Sequence, residues 1–298
     1  MQVRVLGAAA GGGFPQWNCH CNNCRRLRLG TLQGKARSQA QVAVSSDGRT
    51  WHLLNASPDL RQQIELCPSL WPAQGVRHSP IRSVVLTSAE IDAVAGLLSL
   101  REFQTFTVHS TRAVQEILRR ENSLFQALHR LPDQVRWSVF CPGTICELDA
   151  ALRVHVIPLE GGYPTYVGPG RPPEEAVVGL AIEQEDRRLL FLPGVGTITE
   201  NLLEWMKKSD VLLFDGTFWS DDELIRVQQG ARTARQMGHV PMSGARGSLE
   251  SLAHLDRPRK IFMHINNTNP VLDEESAEHR EMRDAGWQLA FDGMELEI

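Results

Sequence analysis

The sequence predicts an α/β layered sandwich, and three observations carry that expectation. Short apolar runs bounded by turn residues recur along the 298 residues, at lengths that suit strands, several of them buried on both sides. Helix-period stretches lie between them. Strands follow strands early in the chain and alternate with helices later, an order that fits stacked layers better than one doubly wound sheet. No repeat, low-complexity tract or linker interrupts the pattern, so residues 1–298 are expected to form one domain.

In chain order, Met1 to Gly7 alternates apolar and polar residues and then runs into Gly11-Gly12-Gly13. Strands are predicted at Val42-Ala43-Val44, Trp51-His52-Leu53-Leu54 and Val84-Val85-Leu86. Further strands fall at Leu189-Leu190-Phe191-Leu192, Val211-Leu212-Leu213-Phe214 and Lys260-Ile261-Phe262-Met263. Helices are expected over 93–101, 111–130, 198–208, 243–255 and 274–285, the last closing on Ala285-Gly286 as a C-cap. Gly161 to Glu175 holds four prolines, four glycines and two tyrosines and reads as a loop that lids a pocket.

Apolar residues make up 42% and charged residues 22%, which supplies a core, and the formal net charge is −4. No stripe of Lys and Arg interleaved with aromatics occurs, which argues against nucleic acid as a partner. The densest basic cluster, Arg25-Arg26-Leu27-Arg28, reads as a solvated face beside the cysteines. The first residues lack the continuous apolar stretch of a signal peptide, and no segment has the length of a membrane helix. A cytoplasmic location is therefore expected, where six cysteines argue for metal binding or buried thiols over disulfides.

Three of those cysteines stand together. Asn18-Cys19-His20-Cys21-Asn22-Asn23-Cys24 spaces its thiols as C-x-C-x-x-C, a turn that can aim three thiolates at one tetrahedral Zn2+. A thiolate-rich site of this kind is structural, because catalytic zinc keeps an open position. A fourth ligand is needed. His20 is adjacent but points away from its neighbours' sulfurs if the backbone is extended, so the ligand is expected from a distant segment. Cys67, Cys141 and Cys146 lie among apolar residues or next to proline and are expected to be inert core thiols.

A second constellation is spread along the chain. Val84-Val85-Leu86-Thr87 leads to Glu90 and Asp92, Val211 to Phe214 ends in Asp215-Gly216-Thr217, and Lys260 to Met263 ends in His264. Strand C-termini are where ligands and chemistry collect in layered α/β folds. A carboxylate directly after a buried strand is costly unless it is paired, hydrogen-bonded or metal-bound.

These residues carry a resemblance. Leu53-Leu54-Asn55-Ala56-Ser57-Pro58-Asp59, followed by Thr87-Ser88-Ala89-Glu90-Ile91-Asp92-Ala93-Val94-Ala95-Gly96-Leu97, resembles the opening of the metallo-β-lactamase fold, whose signature there is T-H-x-H-x-D-H-x-x-G. The stretches Gly11 to Cys19, Asn55 to Asp59, Gly96 to Glu102, Met237-Gly238-His239 and His264 to Pro270 are similar to the PqqB family, and Phe291-Asp292-Gly293-Met294 extends the match. The resemblance implies a four-layer αββα sandwich. It also implies that Cys19, Cys21 and Cys24 are structural zinc ligands and that Asp92, Asp215 and His264 match metal positions of the fold. A related phosphodiesterase subfamily closes a similar knuckle with a His three residues after its last metal-site His. That position is Asn267 here, which makes Asn267, or a water it holds, the expected fourth ligand and would couple the knuckle to the pocket.

The departures bear on function. The hydrolase signature has His where this chain has Ser88, Glu90 and Ala93, and Pro158-Leu159-Glu160-Gly161-Gly162 offers none where hydrolases carry their next ligand. The expected pocket metal set is Glu90, Asp92, Asp215 and His264, with His239 a second imidazole if its loop folds in. That set argues against hydrolase chemistry, which needs several neutral imidazoles. The resemblance implies pyrroloquinoline quinone (PQQ) biosynthesis, by an Fe(II)- and O2-dependent hydroxylation of a Glu–Tyr-type precursor at Asp92, Asp215, His264 and His239. The competing reading is a non-catalytic soluble carrier of PQQ or its precursor towards the periplasm, with Arg101, Arg232 and Arg235 as cations for a tricarboxylate. A homodimer is one assembly open to such a domain.

Overall fold

The computed structural model describes residues 1–102, 104–228 and 230–298. Its strands in chain order are β1 (Gln2–Gly7), β2 (Gln41–Ser45), β3 (Trp51–Leu54), β4 (Ile81–Val85), β5 (Phe106–Ser110), β6 (Val135–Val139) and β7 (Ile145–Glu147). They continue as β8 (Arg153–Pro158), β9 (Val178–Gln184), β10 (Arg187–Leu192), β11 (Val211–Asp215), β12 (Arg259–Met263), β13 (Trp287–Leu289) and β14 (Met294–Glu297). The α-helices are α1 (Asn22–Arg28), α2 (Leu60–Leu66), α3 (Ile91–Val94), α4 (Arg112–Glu116), α5 (Glu200–Lys207), α6 (Glu223–Val227), α7 (Ser248–Ser251) and α8 (Ala277–Asp284).

The strands form two seven-stranded sheets, ordered β14-β1-β2-β3-β4-β5-β6 and β13-β12-β11-β10-β9-β8-β7. Each sheet is antiparallel in one half and parallel in the other. β3 through β6 run parallel in the first sheet and β10 through β13 in the second. Strand alternation then sorts the side chains. Val42, Val44, Leu54 and Val85 of the first sheet meet Leu180, Ile182, Leu189, Phe191 and Leu213 of the second in a core between the sheets. The opposite face of the first sheet packs Leu53, Val84 and Val108 under Leu60, Val94, Leu97 and Val114 of its helices. The outer face of the second packs Leu190, Leu212 and Phe262 under Leu202, Met206, Leu252 and Met282. The four layers αββα follow, as the resemblance implies, and the layered α/β order is the one the sequence pattern predicts.

The predicted strands all form, because runs apolar on both faces have a layer to bury against on each side. The helices are shorter than their periodicity suggests. The stretch 111–130 breaks into α4, one π turn at Ile117–Glu121 and a 3-10 segment at Ser123–His129. The break falls at Asn122, whose extended backbone lets its side chain accept from the Leu124 amide. In 243–255 only α7 is α-helical, since Gly244 and Arg246 adopt positive φ and turn the chain before it. Gly286 does take the left-handed conformation that ends α8. The expectation of three core thiols needs correcting. Cys141 is exposed and Cys67 and Cys146 are only half-buried, because Cys141 opens the turn before β7 and not a strand.

Candidate metal centre

The site lies where parallel strands of the second sheet end. β11 stops at Asp215, which is fully buried among apolar neighbours and therefore needs partners for its charge. It has four. The Val195 amide donates to Oδ2 at 2.8 Å, His239 Nδ1 meets the same oxygen at 2.7 Å, and the Thr217 amide and hydroxyl donate to Oδ1 at 3.0 and 2.6 Å. Burial opposes ionisation, but the charge and hydrogen bond of His239, then His264 and Thr217, outweigh it and hold the carboxyl below its usual range.

β12 runs parallel to β11, with Asp215 beside Met263, so the next residue, His264, arrives one step past the buried carboxylate. Its backbone is left-handed (φ +57°), which turns the imidazole out of the strand direction into the pocket. His264 Nε2 lies 3.1 Å from Asp92 Oδ2, and its Nδ1 lies 2.9 Å from the Thr217 hydroxyl. Burial lowers its basicity, yet the hydrogen bond and charge of Asp92, reinforced by Asp215 and Glu90, raise it above the ordinary histidine value. Asp92 sits in the first turn of α3, against Gly11 of the glycine loop, where a side chain would crowd its carboxylate. Burial opposes its ionisation too, and the bond to His264 outweighs it.

His239 reaches the site on a loop. Its amide bonds back to the Ala234 carbonyl, and the Val240 amide bonds to Val195, the residue that also caps Asp215. The imidazole stacks beside His264 with ring centres 5.7 Å apart and its edge against Phe218. Ligand atoms of Asp215, His239 and His264 all lie within 4.8 Å of one another. A cavity of about 420 Å³ opens onto this group. Glu90, Ser88 and Ala93 line one side of it, Glu160, Gly161, Gly162 and Thr165 another, and Arg232 supplies a cation. Burial, and then the charge of Asp92, push the Glu90 carboxyl up. The loop after Gly161 is tied over this cavity by the Tyr166 hydroxyl, which donates to the Ala89 carbonyl.

The knuckle meets the loop of His264 at Asn267. Cys21 caps α1, accepting from the Cys24 amide, so one helical turn brings those two sulfurs together, and the Cys21 amide donates to Cys19 Sγ at 3.4 Å. The ligand atoms of Cys19, Cys21 and Cys24 lie within 4.8 Å of each other. The Asn267 amide sits among them, with Nδ2 at 3.1, 3.6 and 3.3 Å from the three sulfurs. A half-turn of that amide presents Oδ1 to the same point. Asn23, buried behind the thiols, donates to the Asn267 and Asn269 carbonyls at 3.2 and 2.9 Å and fixes the loop. Burial pushes the Cys21 thiol up to about 12, with Cys19 and Cys24 adding to the cost. Three thiolates here therefore need a cation, and three sulfurs with one amide oxygen suit zinc. His20 is exposed and is not among the clustered ligand atoms.

The structure thus brings Asp92, Asp215, His239 and His264 together and puts Glu90 on the same cavity wall, outside the tight cluster. His239, which the sequence leaves conditional, is a full member. Two expected cations are elsewhere. Arg101 follows a 3-10 turn whose Leu98 carbonyl it binds, pairs with Glu102, and faces a different groove beside Arg61 and Phe106. Arg235 is spent on the Ala245 and Arg246 carbonyls of its own loop. Only Arg232 of the three lines the pocket. Thr217 was missed by sequence reasoning, although it follows Asp215-Gly216. Its hydroxyl touches Asp215, His239 and His264 at once.

Comparison with known proteins places this geometry. The β-lactamase superfamily domain matches residues 50–265. Coenzyme PQQ synthesis protein B of Methylobacterium sp. (strain 4-46) is 44% identical, and that of Xanthomonas campestris pv. campestris (strain B100) 42%, each over all of both chains. The crystal structure of Zn(2+)-bound PqqB from Methylobacterium extorquens superposes with a TM-score of 0.94 at 41% identity, covering both chains fully.

Proposed function

The chain belongs to the coenzyme PQQ synthesis protein B family of the β-lactamase superfamily, and from that premise we propose that it serves PQQ biosynthesis as a one-domain, metal-dependent oxygenase that hydroxylates a tyrosine-derived precursor. The observation that carries the reading is the meeting of two imidazoles, His239 and His264, with the Asp92 carboxylate at one cavity wall, the buried Asp215 carboxylate lying behind them. Two histidines and a carboxylate facing an open cavity are a donor set that suits Fe(II). Bound there, iron would supply O2 activation.

The protein's own part is positioning and exclusion. Thr217 and the Val195 amide hold Asp215, and Asp215 and Asp92 orient the two imidazoles. Arg232 is placed to pair with a precursor carboxylate, while Glu90 and Glu160 face an amine or a phenol. The 161–175 loop closes the cavity against water. The knuckle, in this reading, carries a structural zinc on Cys19, Cys21, Cys24 and Asn267.

Hydrolase chemistry is disfavoured because Ser88, Glu90 and Ala93 offer no imidazole for a second metal. The carrier reading is disfavoured because a tricarboxylate would meet one arginine and several acids in this cavity. No described helix is long and apolar enough to cross a membrane. The test is anaerobic reconstitution with Fe(II), followed by O2, a reductant and a Glu–Tyr peptide. The expected result is a dihydroxyphenylalanine product, lost in His239→Ala and His264→Ala. Tight PQQ binding with no product from the iron-loaded protein would replace the oxygenase with the carrier.

A further inference from the structure

Glu223 is a buried acid that neither the pocket nor the knuckle uses directly. It opens α6, is 7% exposed, and burial pushes its carboxyl up to about 7. Among the described residues no salt bridge involves it. A carboxylate kept in such a place without a cation is costly, and its hydrogen bonds show what it holds. Oε2 accepts from the Trp219 amide at 2.5 Å, and Oε1 accepts from the Thr268 hydroxyl at 2.5 Å. The Thr268 hydroxyl in turn accepts from the Asn266 side chain at 2.5 Å.

Those partners belong to the two loops that build both sites. Trp219 lies two residues after Thr217, which binds Asp215, His239 and His264. Asn266 and Thr268 flank Asn267, whose amide lies among the knuckle sulfurs, and His264 is three residues before it. We propose that Glu223 is a positioning residue that clasps the loop after β11 to the loop after β12, so that filling the knuckle tightens the metal-binding geometry of the pocket. Two other contacts, the Asn266 amide to the Thr217 carbonyl at 3.0 Å and Asn269 Nδ2 to the Gly216 carbonyl at 3.0 Å, join the same loops through backbone. Glu223 is the acid that ties their side chains. Its grip reaches residue 268, beyond the pocket and next to the knuckle ligand. An order imposed on Asn267 by the knuckle therefore reaches His264 through a short segment held at both ends.

The inference rests on the zinc reading of the knuckle, and a cobalt titration separates the two. Co(II) held by thiolates shows sulfur-to-metal charge transfer, whereas Co(II) held by imidazole and carboxylate shows weak ligand-field bands only. In the wild-type protein with zinc in the knuckle, Co(II) should enter the pocket, and Cys21→Ser should weaken that binding by about tenfold. In the Thr268→Val background, where the hydroxyl that Glu223 grips is gone, the same Cys21→Ser change should cost clearly less than tenfold, the remainder travelling through the two backbone contacts. Glu223→Ala, which removes both acceptors, should reproduce the Val variant and decides the matter if that variant folds poorly. Additive losses in both backgrounds would overturn the clasp while leaving the zinc site intact. Metal-free wild-type protein that shows no thiolate band on adding Co(II) would remove the zinc reading, and the clasp with it.

Discussion

The knuckle and the pocket share one loop, on which Asn267 and His264 stand three residues apart, yet they are built in opposite ways. The knuckle draws its three thiols from one six-residue segment and takes only Asn267 from elsewhere. The pocket takes Asp92, Asp215, His239 and His264 from four separate segments. Their electrostatics differ as well. The knuckle gathers groups that become like charges on ionising, and burial drives the Cys21 thiol up to about 12. The pocket alternates acids with imidazoles, so the acids Asp92 and Asp215 lie below their usual range and His264 above its own. A site of like charges needs a cation to be stable, whereas a site of paired charges stands without one.

The largest effect should come from breaking that contrast at the knuckle. Removing zinc with a strong chelator, or Cys24→Ser, should cost several kcal/mol of stability, because structural zinc binding is folding free energy. Thermal unfolding with and without chelator measures it, and the 264–269 loop should lose hydrogen-exchange protection at the same time. An unchanged melting temperature would place the knuckle with ordinary thiol clusters. Stripping metal from the pocket should change stability much less.

At the pocket the corresponding break is Asp215→Ala. It leaves His239 without its carboxylate and the Val195 amide without an acceptor, and about 3–5 kcal/mol should be lost. Thr217→Val keeps the volume and removes one hydroxyl shared by three groups. Pocket metal affinity should then fall about 10- to 100-fold with little loss of stability. Isothermal titration with Fe(II) or Co(II) separates the two outcomes.

The same division governs what the sequence reveals. The knuckle is legible because its spacing is local, and the strands are legible because each is a short apolar run in a fold with layers on both sides. Asp215 and His264 are legible as polar residues ending apolar runs. His239 is legible only through the resemblance of Met237-Gly238-His239 and stays conditional, since its place depends on a loop folding onto Val195, a contact that no spacing encodes. Arg101 and Arg235 read as ligands for the converse reason: composition gives their charge, and only packing shows it spent on nearby carbonyls and Glu102. The helix expected over 111–130 fails at Asn122, where a side chain competes for backbone amides that periodicity alone assigns to the helix.

Between the two sites lies Glu223, and pH tests it independently of metal. Its carboxyl is raised by burial to about 7, against 4.5 ordinarily, while Thr268 and Trp219 pull the other way. The folded protein therefore holds a proton that the unfolded chain releases. The stability this gives is fully present below about pH 4.5 and is lost as pH rises through about 7, by about 3 kcal/mol. Glu223→Gln should flatten that slope in denaturant titrations across the window. A slope equal to the wild type's would mean the group titrates as an ordinary exposed acid.

The smallest effect belongs to the lid, and it sharpens the comparison because the lid touches the pocket and not the knuckle. Tyr166 donates to the Ala89 carbonyl beside Glu90, and burial together with the Glu90 charge pushes its phenol up to about 12. The hydroxyl therefore stays a donor through the physiological range. Glu175 ties the far end of the same loop, its carboxylate accepting from the Ala113 amide at 2.7 Å. Tyr166→Phe removes one hydrogen bond at the pocket end and should cost about 1 kcal/mol locally. That corresponds to roughly a fivefold rise in exchange rate for the amides of 161–168, with the knuckle loop unchanged. If the change instead loosened 264–269, the lid and the knuckle would be one mechanical unit, and a self-neutralised pocket could not be separate from a metal-dependent knuckle.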